Sequence, residues 1–209
     1  MERIKITLVL LLLAVASYGQ TAKQVLDKTA AIFSNKNGAS AAFHIKDGNV
    51  NNQVHGRFMV KGKKFCLQSN KMLIWYDGKT RWSAINHGAN GIDEVNVSTP
   101  KSSDFSNPVD IIYLYRQGYT YTMKKEGSRY VIHLTASTKN KPIQEAYISV
   151  YQGSVSGAAY TPTFIKFLRD KKWTTIDITS CSSHQKPIAD GIFRFNSKDF
   201  PKAEVIDLR

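Results

Sequence analysis

An all-β sandwich or barrel carrying an N-terminal helix is the fold class that the sequence predicts, on three observations. Short runs rich in aromatic and β-branched residues recur at near-regular spacing through residues 41–196, separated by turn residues. Residues 63–82 hold two such runs about Asp77-Gly78, a dipeptide that tolerates the positive φ of a tight hairpin turn. The clearest helical periodicity is confined to residues 21–35. Within the hairpin, Met72, Ile74 and Tyr76 point to one face and Leu73 and Trp75 to the other. Both faces are apolar, so this strand is covered on two sides or lines a cavity on one.

Residues 1–19 read as a cleaved secretory signal peptide. Arg3 and Lys5 precede an apolar run at 6–16, and the small residues Ser17 and Gly19 stand before Gln20. The run falls short of the roughly 20 apolar residues that span a bilayer, although an uncleaved anchor is the alternative. No Cys follows it and no later stretch is apolar enough to span. The expectation is an exported, soluble chain with a single domain at 20–209. The full chain carries a net charge of +13; without residues 1–19, 27 basic and 15 acidic residues leave +12. In a cytoplasm that balance would suggest nucleic acid. Outside it, the available polyanions are membrane surfaces, phosphorylated glycolipids and acidic proteins, and the charge also serves solubility. Cys66 and Cys181 could pair in an oxidising compartment or remain buried thiols.

Taken in order, Thr21 and Gln24 fit a capping box, with Ala22, Val25, Leu26, Thr29 and Phe33 at helical spacing and Asn37-Gly38 as the stop. Strands follow at 42–46 and 54–61, parted by Asp47-Gly48 and a polar tip, with Gly62 before the hairpin. Residues 93–98 alternate Val95 and Val97 with Glu94 and Asn96. Asn107-Pro108 reads as an N-cap and first helical residue of a short apolar helix carrying Ile111, Ile112, Leu114 and Tyr115, ended by Gly118. Strands resume at 119–124, 129–136, 143–151, 163–169 and 174–179, with a last one at 191–196 and a tail from 200.

Tests for chemistry come out negative. Gly78-Lys79-Thr80 lacks the earlier Gly of a phosphate loop, where Leu73 stands, and a strand follows it. In Gly153-Ser154-Val155-Ser156-Gly157, Val155 stands where a nucleophile elbow needs Ser. His44, His55, His87, His133 and His184 have no metal-ligand spacing, and Glu94 and Asp110 form no acid/base pair. Trp75, Trp82 and Trp173 with nearby Lys and Arg imitate a single-strand nucleic-acid platform, which an export signal disfavours. The expectation is no enzyme, cofactor, metal or nucleic acid.

What remains is an excess of apolar surface. Candidates for one sheet face are Phe43, Phe58, Val60, Phe65, Leu67, Met72, Ile74, Trp82, Val95 and Val97. Tyr121, Val131, Ile148, Val150, Phe164, Ile176, Ile178, Phe193 and Phe195 extend the set. Such a face packs a solid core or encloses a hollow, and patterning leaves both open.

Residues 74–82, Ile-Trp-Tyr-Asp-Gly-Lys-Thr-Arg-Trp, resemble the strand, Asp-Gly-Lys-Thr turn and Trp of the periplasmic outer-membrane lipoprotein carrier (LolA-like) family. The helix opening at Thr21, the strand of Gly56 to Lys61 leading to Phe65, the Asn107-Pro108 helix and the close at Phe193, Phe195, Pro201, Val205, Asp207 and Arg209 occur in the same order. The resemblance implies a mainly β (α+β) fold: a strongly curved, unclosed antiparallel β-barrel capped by an N-terminal helix and a short mid-chain helix. It implies a monomeric periplasmic carrier whose cavity holds lipoprotein acyl chains between an inner-membrane lipoprotein-releasing transporter and an outer-membrane acceptor. On that reading Val25, Leu26, Phe33, Ile112 and Tyr115 form the lid. Phe43, Phe58, Val60, Phe65, Leu67, Met72, Ile74, Trp82, Val95, Val97, Ile148, Val150, Phe164, Ile176 and Phe193 form the wall. Binding of another lipid, a glycolipid or fatty acid, is the alternative. One departure stands out: where the family has a basic residue and Pro before the strand Phe, thought to latch the lid, this chain has Lys61-Gly62-Lys63-Lys64.

Overall fold

Twelve strands form a single sheet in the order β12-β6-β5-β4-β3-β2-β1-β11-β10-β9-β8-β7. They are β1 (Ala39–Lys46), β2 (Val54–Lys61), β3 (Lys64–Ser69), β4 (Met72–Tyr76), β5 (Arg81–Ile85), β6 (Glu94–Ser98), β7 (Tyr119–Glu126), β8 (Arg129–Ala136), β9 (Glu145–Tyr151), β10 (Pro162–Arg169), β11 (Lys172–Ser183) and β12 (Glu204–Asp207). The computed structural model describes residues 20–46, 53–100, 108–153 and 159–209. The sheet is strongly curved and unclosed, with β12 and β7 at its edges. Two meanders, β1 to β6 and β7 to β11, are joined where β1 pairs antiparallel with β11. Among the described residues, the one parallel pair is β12 with β6.

Helix α1 (Ala22–Phe33) begins as its sequence directs. The Thr21 hydroxyl accepts from Gln24 N at 3.2 Å, and the Gln24 side chain accepts from Thr21 N at 2.9 Å. Its buried stripe of Val25, Leu26, Thr29, Ala30 and Phe33 lies against β1, β7 and β11. The second helical segment, Pro108–Arg116, is a nine-residue 3-10 helix packed on α1. The proposed cap Asn107 and the Asp47-Gly48 turn lie outside the described residues.

In the residue 63–82 stretch, Asp77 Oδ1 accepts from Lys79 N at 3.0 Å and Thr80 N at 2.8 Å, while Gly78 sits at φ +97°. The hairpin therefore turns through residues 77–80, pairing Trp75 with Trp82. A second turn at Ser69 splits the run before it: the Ser69 hydroxyl accepts from Lys71 N at 3.2 Å and from Met72 N at 3.0 Å. That makes three strands, β3 to β5, of an expected two.

The expected last strand at 191–196 is absent. Asp190–Phe193 is a 3-10 turn, and the segment lays Phe193 and Phe195 on the outer sheet face around Trp75. The Trp75 and Phe195 ring centroids are 5.5 Å apart. Burying flat rings on a sheet face competes with edge pairing, and the ladder is taken instead by residues 204–207, read from sequence as tail. Strand β11 is also longer than expected, because the polar run 180–183 pairs with the start of β1. Apolar patterning carries no sign of that extension.

Cys66 and Cys181 are both free thiols. With β2 and β1 between their strands, about 14 Å of sheet separates them, twice the reach of a disulfide. Cys66 pairs with Trp75 on the outer face and Cys181 with Ala41 on the inner, so their side chains also diverge. Denaturing thiol titration without reductant is expected to count two thiols per chain. The native fold should react slowly, since burial pushes Cys66 up to about 11 and Cys181 up to about 12. A count of zero would contradict this topology.

Gly56 is required by a close approach: a Cβ there would lie 2.2 Å from the Gln68 carbonyl oxygen and 2.8 Å from Ser69 Cα, both backbone. Gly56→Ala should cost roughly 2 kcal/mol by overpacking, lowering the thermal midpoint by about 4–8 °C at this chain length. Calorimetry showing no shift would mean that β2 and β3 are farther apart than described.

Candidate functional site

The register divides the sheet into two chemically distinct faces. The cross-strand row Ala41, Phe58, Leu67, Ile74 and the row Ala39, Val60, Phe65, Tyr76 point inward on one half. On the other half, Ile176, Ile165, Ile148 and Ile132 form a continuous inner row from β11 to β8. Helix α1 and Pro108–Arg116 cover this wall, and together they bury the larger hydrophobic core. Phe33 of the helix stacks on Phe58 of the wall, with centroids 6.0 Å apart.

Between lid and wall lies an apolar gap of about 80 Å³, lined by Phe33, Phe43, Ile45, Phe58, Leu67, Val109, Ile112, Pro162, Ile165, Ile176 and Ile178. An apolar cavity of roughly 150 Å³ holds one benzene. The gap is therefore a seam in the packing, too small for an alkyl chain as it stands.

The lid is tied by polar contacts at its margin. The Tyr115 hydroxyl donates to Asp27 Oδ1 at 2.5 Å, and an Arg116 guanidinium N–H donates to the same oxygen at 2.9 Å. Lys23 pairs with Asp27 Oδ2 at 2.6 Å. These three donors, Lys23 first, hold the Asp27 carboxyl far below the usual carboxylate range. Burial, aided by the Asp27 contact, pushes Tyr115 up to about 12. The Tyr113 hydroxyl donates to Ala30 O at 3.3 Å, so α1 and the 3-10 segment are linked as one unit. On the other flank, the Thr29 hydroxyl donates to Tyr160 O at 2.9 Å, and Lys28 Nζ lies 4.3 Å from the centre of the Tyr160 ring.

Asp27 thus ties α1 to the 3-10 segment through Tyr115 and Arg116, and the lysines at 61 and 64 make a different contact. Lys61 and Lys64 grip Asp190 of the C-terminal segment at 2.5 and 2.8 Å, and Lys61 also donates to the Ile188 carbonyl. That clamp holds Ile188 and Phe193 over Cys66, Trp75 and Val95 in a second, outer cluster.

Among the wall residues expected from sequence, Phe43, Phe58, Leu67 and Ile176 line the gap, joined by Phe33 and Ile112 of the expected lid. Val60, Ile148 and Val150 lie in the same core, as do the lid residues Val25, Leu26 and Tyr115. Phe65 and Ile74 face inward by register, Phe65 against Tyr76 at 5.5 Å. Trp82, Val95, Val97 and Phe193 stand apart. Trp82 pairs with Trp75 and Val97, which turns this aromatic set onto the outer face under the C-terminal segment. Met72 is 44% exposed beyond the wall. Phe164 points outward because a bulge between Pro162 and Phe164 shifts the phase of β10, bringing Pro162 and Ile165 to the gap. Ile45 and Val109 were also missed. Ile45 continues the Phe43 alternation and was recoverable from it; Val109 sits one residue into a helix of unexpected type.

A larger trough of about 850 Å³ on the outer face has His44, His55, Arg57, Gln68 and His184 on its walls, which does not suit hydrocarbon. Among the described residues, no His, Cys, Asp and Glu cluster could hold a metal ion, and no helix is long and apolar enough to cross a membrane.

A family model described as outer membrane lipoprotein carrier protein LolA matches residues 12–171. The chain belongs to the LolA family. The match ends at the β10–β11 turn, so the C-terminal segment that covers Trp75 lies beyond it. No curated protein matches the chain. Similar solved structures include a LolA superfamily protein from Nitrosomonas europaea, 13% identical over 85% of this chain and 99% of that one, with a TM-score of 0.42. Another is LprF from Mycobacterium bovis, 9% identical over 82% and 99%, with a TM-score of 0.41.

Asp27→Ala removes every tie at the latch. Amide exchange across α1 is expected to accelerate by about five- to tenfold, the effect of losing a few partly exposed polar contacts. Because the folded carboxyl lies below its unfolded value of about 3.9, its contribution is complete above that pH and is lost only as pH falls towards the folded value. Exchange in the unaltered protein should therefore be insensitive to this latch between about pH 5 and 8. Equal protection in the variant would remove Asp27 from the role.

Proposed function

We propose that this protein is a periplasmic carrier that takes the acyl chains of lipoproteins beneath the lid of α1 and Pro108–Arg116. The observation that supports this reading most directly is an apolar wall covered by a lid whose polar ties sit at its margin. Moving the lid outward withdraws Phe33, Val109 and Ile112 from the wall, and hydrocarbon can then replace them against Phe43, Phe58 and Leu67. Such an exchange changes little apolar exposure, so loading is reversible. Each buried CH₂ contributes about 0.8 kcal/mol, so a diacylated anchor crossing water uncovered would cost on the order of tens of kcal/mol.

On this reading residues 1–19 direct export and residues 20–209 are the carrier. An inner-membrane transporter supplies the cargo and an outer-membrane acceptor receives it. The residues described carry binding chemistry, and family membership points the same way.

Incubation of the full chain with a synthetic diacylated lipopeptide should yield a one-to-one complex by native mass spectrometry. Leu67→Trp, which fills the seam from the wall side, should weaken that complex by roughly tenfold or more, as overpacking competes with the guest. Absence of any complex with the unaltered protein would end the carrier reading.

A further inference from the structure

At one end of the inner wall lies a second hollow of about 310 Å³, with Ile45 and Val54 on its apolar side and Lys46, Lys71, Lys172 and Trp173 around it. Ile45 lines this hollow and the apolar gap alike. The register sets Ile45 between Val54 and Ile176, so greasy wall continues up to the lysines. Lys46 is answered by Asp177 at 2.7 Å. Among the described residues, Lys71 and Lys172 have no ion pair and no acidic side chain lines the hollow. Trp173 is 43% exposed, with Lys166 Nζ 4.8 Å from its ring centre and Tyr147 5.9 Å away. By alternation from the inward Ile165, Ile148 and Ile176, these three side chains lie on the outer face, so Trp173 borders the hollow from outside. Lys71 and Lys172 stand where the apolar wall gives way to solvent, an arrangement that suits the boundary between hydrocarbon and a charged headgroup.

We propose that this rim is a headgroup site for an anionic lipid, its phosphate or carboxylate held by Lys71 and Lys172 while an acyl chain runs past Ile45 beneath the lid. The proposal rests on the acyl-chain reading above and adds a charge requirement to it. Ammonium groups on flexible stems act as point charges without a fixed fork, so the site selects for negative charge and tolerates different headgroup shapes.

The test presents the full chain with vesicles of phosphatidylcholine containing phosphatidylglycerol of the same acyl composition, and separately with oleate or its methyl ester. Bound lipid is read by native mass spectrometry. The unaltered protein should favour phosphatidylglycerol over phosphatidylcholine by about tenfold, the scale of two uncompensated lysines after screening. Lys71→Gln with Lys172→Gln should bring that ratio to within about twofold, chiefly by lowering phosphatidylglycerol uptake, and the Glu pair at the same positions should invert it. A preference for oleate over its ester that disappears in the variant assigns the site to carboxylates as well as phosphodiesters. Uptake without charge preference, or a preference that survives both variants, overturns the headgroup site alone. If none of these proteins takes up any lipid while the unaltered protein still binds the diacylated lipopeptide, the headgroup site falls and the carrier reading stands; if the lipopeptide is not bound either, both fall.

Discussion

The inner face of the sheet is apolar across both meanders, and an unclosed sheet cannot bury such a face on itself. The cover over the inner face answers that constraint. Closure into a complete barrel would let opposite walls meet and fill the interior with side chains. Here the edges β12 and β7 stay apart, so two helical segments must lie across the opening. Small residues under them, Ala39 and Ala41, are fully buried and allow close approach.

The means of attachment follows from the same constraint. On the proposed reading, helical segments held only by apolar contacts would compete poorly with a guest offering the same contacts, or would never leave if they interlocked fully. In this structure the apolar side of the lid meets the wall across a seam, while its position is set by polar groups at the margin: Asp27 with Tyr115 and Arg116, and Thr29 with the Tyr160 carbonyl. Of these, the Asp27 and Arg116 side chains are partly open to solvent, where polar ties exchange for water at small net cost, whereas Thr29 and Tyr115 are buried. The position of the two helical segments is thereby specified by contacts at their margin.

The outer face obeys a different demand. Trp75, Trp82 and Val95 sit on the outward side of β4 to β6, where bare apolar surface would invite association. The C-terminal segment covers it with Phe193, Phe195 and Phe200 and is pinned by Lys61 and Lys64 to Asp190. Lys61 and Lys64 thus secure the back of the sheet, while Asp27 ties the two helical segments over its inner face.

Local chemistry was legible in the residues themselves: the Thr21/Gln24 capping box, the Asp77-Gly78 turn, the alternation in β1 to β4 and the apolar excess that demanded a cover. These depend on neighbours within a few positions, and so they survive folding unchanged. Which face each strand buries did not follow. A single bulge in β10 reverses its phase and exchanges Phe164 for Ile165, and the rings of β5 and β6 turn outward because a segment more than 90 residues later arrives to cover them. The pairing of β1 with β11, the separation of the two thiols and the Asp27 latch likewise join parts of the chain whose meeting no local pattern encodes. Long-range contact is decided by competition among whole surfaces for burial, and only the folded chain settles that competition.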